Sequence, residues 1–213
     1  MSIGMISLLV LSLLILFGVL QRVLDRMALS DRQALLIVSA MFVGGLLPDI
    51  PLGRVQINIG GALIPIIVSV YLLLHAGAAK ERIRAVVAAC LTAAAVFAVS
   101  LLVPADPASM PWLDPMILYG LAGGAIAWLL GRSRRSAFIA GVLGVTIADI
   151  FTGVSLWMKG INQTVYLGGA GALDAIVIAG VVGVLCCEIT GEAMERMTRG
   201  GKKPRPAKGG SRA

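Results

Sequence analysis

Seven apolar stretches separated by short charged segments are the feature that most restricts how this chain can fold. Most of them are close to the length of about 20 residues that an α-helix needs to cross a bilayer. Because lipid offers no hydrogen bonds, each such segment must pair its own backbone groups, which predicts helices. The predicted spans are residues 3–20, 34–52, 60–79, 85–103, 113–130, 137–158 and 165–187.

The composition agrees with an all-α, polytopic transmembrane helix bundle. Of the residues, 58% are hydrophobic and only 14% are charged, whereas about a quarter of a soluble domain is charged. A transmembrane barrel would instead show short segments of alternating hydrophobicity. We therefore expect residues 1–195 to form a transmembrane bundle whose main partner is the lipid bilayer.

The last segment, residues 196–213, differs from the rest of the chain. It is rich in Gly and Pro and carries seven of the eighteen Lys and Arg residues. This composition predicts a disordered tail. Basic residues beside a membrane are attracted to anionic lipid headgroups. We expect that partner, and no nucleic acid, to account for the net charge of +7.

The basic residues also predict the orientation of the spans. When alternate connections are assigned to opposite sides, one side holds only Arg54 and Lys159, and the other holds the remaining sixteen of the eighteen Lys and Arg residues. The positive-inside rule assigns the richer side to the cytoplasm. The sequence thus predicts a multi-pass protein of the cytoplasmic (inner) membrane, with its N-terminus outside and its C-terminus inside.

Two parts of the chain resemble each other. Residues 49–53 and 149–153 both read Asp-Ile-x-x-Gly, and residues 57–62 and 165–170 share an apolar-polar-apolar-Gly-Gly-Ala pattern. The copies lie four spans apart, which predicts a parallel three-helix repeat joined by the fourth span. Repeats of this kind build transporters. The alternative is chance similarity among the few residue types that are common in membrane helices.

The residues before each Gly-Gly pair suggest strands. Residues 54–59 alternate between polar and apolar, and residues 162–167 do so in part, which is the period of two of a β-strand. Extended backbone at membrane depth must be covered by protein or line a wet cavity. We expect two short extended segments that meet near the outer face, each followed by a helix that begins at Gly-Gly.

Asp49, Asp149 and Asp174 lie within or near the ends of predicted spans. An aspartate at mid-membrane costs about 2.5–3.5 kcal/mol on insertion scales, so such residues usually face the bundle interior and mark a site. Two carboxylates in low dielectric do not readily both ionise, so one would hold a proton or a cation would sit between them. The alternative for each is a structural role at a helix end. The predicted outer half also holds four neutral polar residues near these acids: Asn58, Thr146, Thr152 and Tyr166.

These features favour proton- or cation-linked transport of a small solute. Asp149 and Asp174 would carry the proton or cation, and Asp49, Asn58 and Tyr166 would line an outer vestibule. The arrangement of three, one and three spans resembles the SWEET sugar permeases in topology alone, because their Pro-Gln motif is missing.

A second interpretation is intramembrane proteolysis. Asp149 on the sixth span and the Gly-Ala-Leu-Asp run at 171–174 resemble the presenilin-type aspartyl proteases, which place one Asp on a sixth helix and one in a Gly-x-Gly-Asp motif on a seventh. The resemblance implies that Asp149 and Asp174 would be the catalytic pair. The chain departs from it because Leu173 replaces the second Gly, Ala148 stands where a Tyr is expected, and no Pro-Ala-Leu motif follows. A third interpretation is a non-catalytic membrane scaffold with structural aspartates.

The Asn-x-Gly-Gly-Ala-Leu-Ile-Pro run at 58–65, with residues 148–150 and 171–174, resembles an uncharacterised family of small polytopic prokaryotic membrane proteins, known only as a domain of unknown function. This resemblance implies no activity. We expect no cofactor and no metal site, because the chain has one histidine and its three cysteines lack metal-ligand spacing. The sequence leaves open whether the protein forms a homo-oligomer.

Overall fold

A computed structural model of the protein describes residues 29–102 and 114–200, together with residues 18, 19, 21, 23, 24 and 27. In this part of the chain the structure is mostly helical, as predicted. The helices are α1 (Asp31–Gly45), α2 (Ile64–Leu74), α3 (Ala79–Leu102), α4 (Pro115–Gly131), α5 (Arg134–Met158) and α6 (Ala175–Gly200). The strands are β1 (Ile50–Leu52), β2 (Val55–Ile57) and β3 (Val165–Leu167).

Helix α5 is the central helix of the bundle. It packs against α2, α3, α4 and α6, and twelve of its residues are buried. Small residues allow these helices to approach closely. A Cβ atom on Gly141 would lie 2.7 Å from the Ala179 backbone, and one on Gly144 would lie 2.7 Å from the Thr92 side chain. The first half of α5, from Ser136 to Ala148, therefore has protein on most sides.

A three-stranded sheet covers one end of the bundle. Strands β1 and β2 form an antiparallel hairpin, whose two-residue turn begins at Gly53 with a φ of 66°. Glycine adopts this positive φ without the steric cost of a Cβ atom. Strand β3 pairs with β2 in parallel, with Gln56 opposite Tyr166. The prediction of two extended segments that meet is confirmed, while strand β1 lies in what was predicted to be the second span.

The Gly-Gly pairs start different structures. In the first copy, strand β2 is followed by a π-helical turn (Ile59–Leu63). This turn contains the Gly-Gly pair and leads directly into α2, as predicted. The prediction is wrong for the second copy, where Gly168 and Gly171 have φ values of 74° and 61°. These values are incompatible with a right-handed helix that starts at Gly-Gly. A short 3₁₀ turn (Gly171–Leu173) follows, and α6 begins only at Ala175.

Four predicted spans have wrong boundaries, and the fourth begins at Ala79 rather than at residue 85. The second ends as helix at Gly45 rather than at residue 52, because Pro48 disfavours helix at the residue before it and lacks an N–H donor. The third ends at Leu74, and the seventh is helical from Ala175 and continues to Gly200. The first five residues of the predicted tail are thus helical. Most of the predicted first span, and residues 201–213, lie outside the described residues.

The two Asp-Ile-x-x-Gly copies also fold differently. Asp49 precedes strand β1, and Gly53 lies in the hairpin turn. Asp149 and Gly153 lie within α5. The aspartates of the predicted repeat are therefore not structurally equivalent.

Two of the described helices, α3 and α5, are long and apolar enough to cross a membrane by length and composition. Four shorter apolar helical segments accompany them: Arg32–Gly45, Ile59–Leu74, Pro115–Gly131 and Ala175–Gly191. These helices indicate association with a membrane.

Candidate functional site

The side chain of Asn58 stabilises the junction between β2 and the π-helical turn. Its side chain is buried, and its Oδ1 atom accepts hydrogen bonds from the backbone N–H groups of Gly60 (3.0 Å) and Gly61 (2.9 Å). Its Nδ2 group donates to Asp49 Oδ1 at 2.8 Å. Asp49 and Asn58, both predicted as site residues, thus bind each other, and Asn58 caps a helix start.

Close backbone contact joins this junction to the second Gly-Gly pair. A Cβ atom on Gly61 would lie 2.2 Å from the carbonyl oxygen of Gly168, and one on Gly168 would lie 2.4 Å from the Ala62 nitrogen. The N–H of Asn58 donates to the Leu167 carbonyl at 2.9 Å. The two Gly-Gly-Ala segments therefore form one compact cover over this end of the bundle.

A cavity of about 170 Å³ lies between α5 and the segment that leads into β3. Its α5 wall consists of residues at positions i, i+3, i+4 and i+7, which share one helix face. The other wall runs from Gln163 to Tyr166. The lining residues are Asp149, Thr152, Gly153, Leu156, Gln163, Thr164, Val165 and Tyr166.

Gly153 allows the strand to approach the helix at this cavity. A Cβ atom on Gly153 would lie 2.2 Å from Val165 Cγ2, so a larger residue would require the Val165 side chain or β3 to shift. Trp157, one turn further along α5, donates its Nε1–H to the Gln163 carbonyl at 2.8 Å. The guanidinium of Arg54 lies over the Trp157 ring, 5.9 Å from its centroid. Contacts on both sides of the cavity thus fix its shape.

Asp149 provides the acidic group of the cavity. Its side chain is half-buried, while Thr152 donates its hydroxyl to the Ala148 carbonyl at 2.9 Å and keeps its oxygen as an acceptor. Tyr166 is 56% exposed, so the cavity is reached from the surface. A carboxylate beside hydroxyl and amide groups in a partly covered cavity can bind a proton or a small cation.

Asp174 lies close by but has a different role. Its Oδ1 atom accepts from the Ile176 N–H at 3.0 Å, and its Oδ2 atom accepts from the Ala170 N–H at 3.3 Å. It therefore caps the start of α6, and it is not among the residues that line the cavity. Its carboxylate is near enough to Asp149 for the two charges to interact.

The structure thus divides the six predicted site residues into three groups. Asp149, Thr152 and Tyr166 share the cavity, Asp49 and Asn58 form a structural pair, and Asp174 caps a helix beside Asp149. The sequence reasoning missed Gln163 and Thr164, although both belong to the strand-like stretch 162–167. It also missed Tyr119 of α4, which lies within electrostatic range of Asp149. No local sequence pattern connects these two residues.

Within residues 29–102 and 114–200, no group of three or more His, Cys, Asp or Glu side chains could hold a metal ion. The chain thus offers a carboxylate cavity there, rather than a cluster of metal ligands.

The family described as a protein of unknown function, DUF1614, matches residues 16–186, which is most of the chain. The chain belongs to this family. The match covers the Asn58 junction, the Asp149 cavity and the Asp174 cap, so all three are parts of the DUF1614 region. Neither a curated protein nor a solved structure gives a match to the chain.

Proposed function

We propose that this protein is a multi-pass protein of the inner membrane whose Asp149 cavity binds a proton or a small cation during transport of a small solute. The cavity that joins Asp149 to Thr152, Gln163, Thr164 and Tyr166 carries this proposal. It combines a carboxylate with neutral oxygen groups and an opening to the surface.

The surface of the bundle supports a membrane location. Large apolar side chains are exposed on several helices, among them Leu36 on α1 (69%), Leu102 on α3 (81%) and Leu129 on α4 (61%). Soluble monomers rarely expose contiguous apolar surface beyond a few hundred Å². Lipid is the environment in which such a surface has no cost.

Hydrogen bonds support the predicted orientation, because they gather the basic connections at one end. Ser133, between α4 and α5, donates to Glu81 at the start of α3 at 3.2 Å. Arg135 at the start of α5 donates to the Met27 carbonyl at 3.0 Å. Arg54 and Lys159 lie at the other end, with the sheet, where the predicted outer face would be.

The position of Asp149 favours a cation over an anion. It lies on the central helix, and Arg54, which stacks on Trp157 beside the cavity, is exposed. An exposed guanidinium is screened by water, so it neutralises the cavity only in part. Asp149 therefore remains available to a proton or cation from the sheet end.

The closeness of Asp149 and Asp174 keeps aspartyl proteolysis as a second candidate. A protease dyad needs both carboxyl groups at the attacking water, whereas both Asp174 oxygens accept backbone N–H groups. Asparagine is also a good helix cap, so Asp174→Asn removes the charge and can keep the hydrogen bond from the Ile176 N–H, while the one from Ala170 is lost. Transport through the Asp149 cavity should survive this change, and proteolysis should not.

Ion flux into proteoliposomes tests the proposal. The purified protein is reconstituted with a trapped pH dye or a trapped Na⁺ dye, and a potassium diffusion potential drives uptake of protons, Na⁺ or methylammonium. We expect flux of at least one of these cations, a loss of tenfold or more in Asp149→Asn, and near-normal flux in Asp174→Asn. Asp114→Asn, which alters the exposed cap of α4, is the matched control.

Three outcomes would contradict the proposal. Wild-type flux in Asp149→Asn would remove the cavity from the pathway. Cleavage of a reconstituted transmembrane peptide that is lost in both Asp149→Asn and Asp174→Asn would establish the protease instead. Absence of both flux and cleavage, with Asp149→Asn changing only thermal stability, would favour the scaffold interpretation instead.

A further inference from the structure

A second cavity, of about 350 Å³, lies at the end of the bundle opposite the sheet, between the end of α4 and α6. We infer that it binds the phosphate headgroup of an anionic phospholipid from the inner leaflet. This inference rests on the membrane placement proposed above but not on transport through Asp149. The lining residues are Trp128, Leu129, Arg132, Cys187, Thr190 and Gly191.

The backbone of Arg132 is in an unfavourable conformation. In the part of the chain that the structure describes, it is the only non-glycine residue with a positive φ, at 56°. Helices often end with such a residue, and glycine is preferred there because a Cβ atom is disfavoured. Strained positions of this kind are concentrated at functional sites. Binding of a ligand by the guanidinium would therefore explain why an arginine occupies this position.

The chain has a glycine next to this position, but packing requires it there. A Cβ atom on Gly131 would lie 2.7 Å from the Ala137 nitrogen, so residue 131 must stay small. Arginine then occupies the left-handed position, and its side chain lines the cavity.

Further positive potential comes from the start of α5. Arg134 is close enough to Cys187, in the cavity wall, for its charge to act on the thiol. The first N–H groups of this 25-residue helix point towards the same end of the bundle and attract anions. Arg135 is already bound to the Met27 carbonyl. Glu188 of α6 is buried with an interaction of its own and does not line the cavity.

The rim of the cavity favours a lipid over a free phosphate. Trp128 donates its Nε1–H to Thr190 Oγ1 at 3.4 Å, and Thr190 donates to the Cys186 carbonyl at 2.7 Å. An indole held in this way is typical of the headgroup level of a membrane. Beside it, Leu129 is 61% exposed and offers apolar surface to an acyl chain, which inorganic phosphate lacks.

Thermal unfolding of the full chain in detergent tests this inference. We expect phosphatidylglycerol to raise the melting temperature by several degrees and phosphatidylcholine to have little effect. Arg132→Gly should melt at or above the wild-type temperature without lipid, because it relieves the backbone, and should lose most of the rise with phosphatidylglycerol. Arg84→Ala, an exposed arginine near the start of α3, is the matched control and should keep the rise.

Quenching of tryptophan fluorescence tests whether the lipid lies beside Trp128. With Trp112→Phe and Trp157→Phe, Trp128 is the remaining fluorophore, and brominated phosphatidylglycerol should quench it several-fold more than brominated phosphatidylcholine. An undiminished lipid response in Arg132→Gly, or equal quenching by both lipids, would overturn the inference. If inorganic phosphate alone raised the melting temperature by the same amount, the ligand would be a phosphate ion and not a lipid. Asp149→Asn should keep the lipid response, so failure of the transport proposal and failure of this one are distinguishable.

Discussion

Asn58 combines three hydrogen bonds in one buried side chain, and its loss should be costly. Asn58→Ala removes the cap on Gly60 and Gly61 and leaves Asp49 without its amide donor. We expect the free energy of unfolding in mixed micelles to fall by about 2–4 kcal/mol. Ser30→Ala, which removes the exposed cap of α1, is the control and should cost about 0.5–1 kcal/mol. Equal losses would contradict the role given to Asn58.

Thr92 illustrates the opposite case, a buried hydroxyl without a hydrogen-bond partner. An apolar residue of the same shape avoids the cost of burying this group, so Thr92→Val should leave stability unchanged or raise it by about 1 kcal/mol. Thr146→Val is the comparison, because Thr146 donates to the Val142 carbonyl at 2.7 Å and should lose stability. Urea or SDS titration of both variants measures the difference. A large loss in Thr92→Val would contradict this prediction.

Among the structural elements, the cover over the bundle depends on close backbone contact between the two Gly-Gly-Ala segments. Gly61→Ala would place a Cβ atom 2.2 Å from the Gly168 carbonyl oxygen, so the two Gly-Gly-Ala segments must separate. We expect a loss of about 3 kcal/mol or more, since crowding against backbone cannot be relieved by a rotamer change. The test is thermal unfolding monitored by circular dichroism.

Gly53→Ala is the matched control for this prediction. Gly53 has a positive φ but open space around its Cβ position, so only backbone strain of about 1 kcal/mol is expected. If the two variants lose the same stability, the close contact at Gly61 is relieved at little cost and the prediction is wrong.

For the whole molecule, the orientation makes a prediction about accessibility. In a background with Cys90, Cys186 and Cys187 replaced, cysteines at Arg54 and Lys159 should react with an impermeant maleimide on intact cells. A cysteine at Arg84 should react only after the membrane is permeabilised, because the positive-inside rule places this end in the cytoplasm. Labelling of all three from outside would contradict the proposed orientation.

The sequence by itself determined the features that depend on local patterns. Apolar segments of helical length predicted a mostly helical, membrane-associated chain, and the alternation at 54–59 predicted an extended segment, because both follow from the period of the backbone. Short polar and Gly-rich motifs also pointed to Asp149, Thr152 and Tyr166, which do share a cavity. The resemblance to a domain of unknown function was correct as well.

Only the tertiary structure decided which polar groups meet. Asp49 and Asp149 occupy matching motifs, yet one binds Asn58 beside a hairpin and the other lines a cavity on the central helix. The start of α6 and the conformation of Arg132 were likewise not evident locally. These features depend on contacts between residues that are distant along the chain, such as Gly61 with Gly168 and Gly153 with Val165. Packing of this kind sets where a helix can begin and which side chains surround a carboxylate, and no local period encodes it.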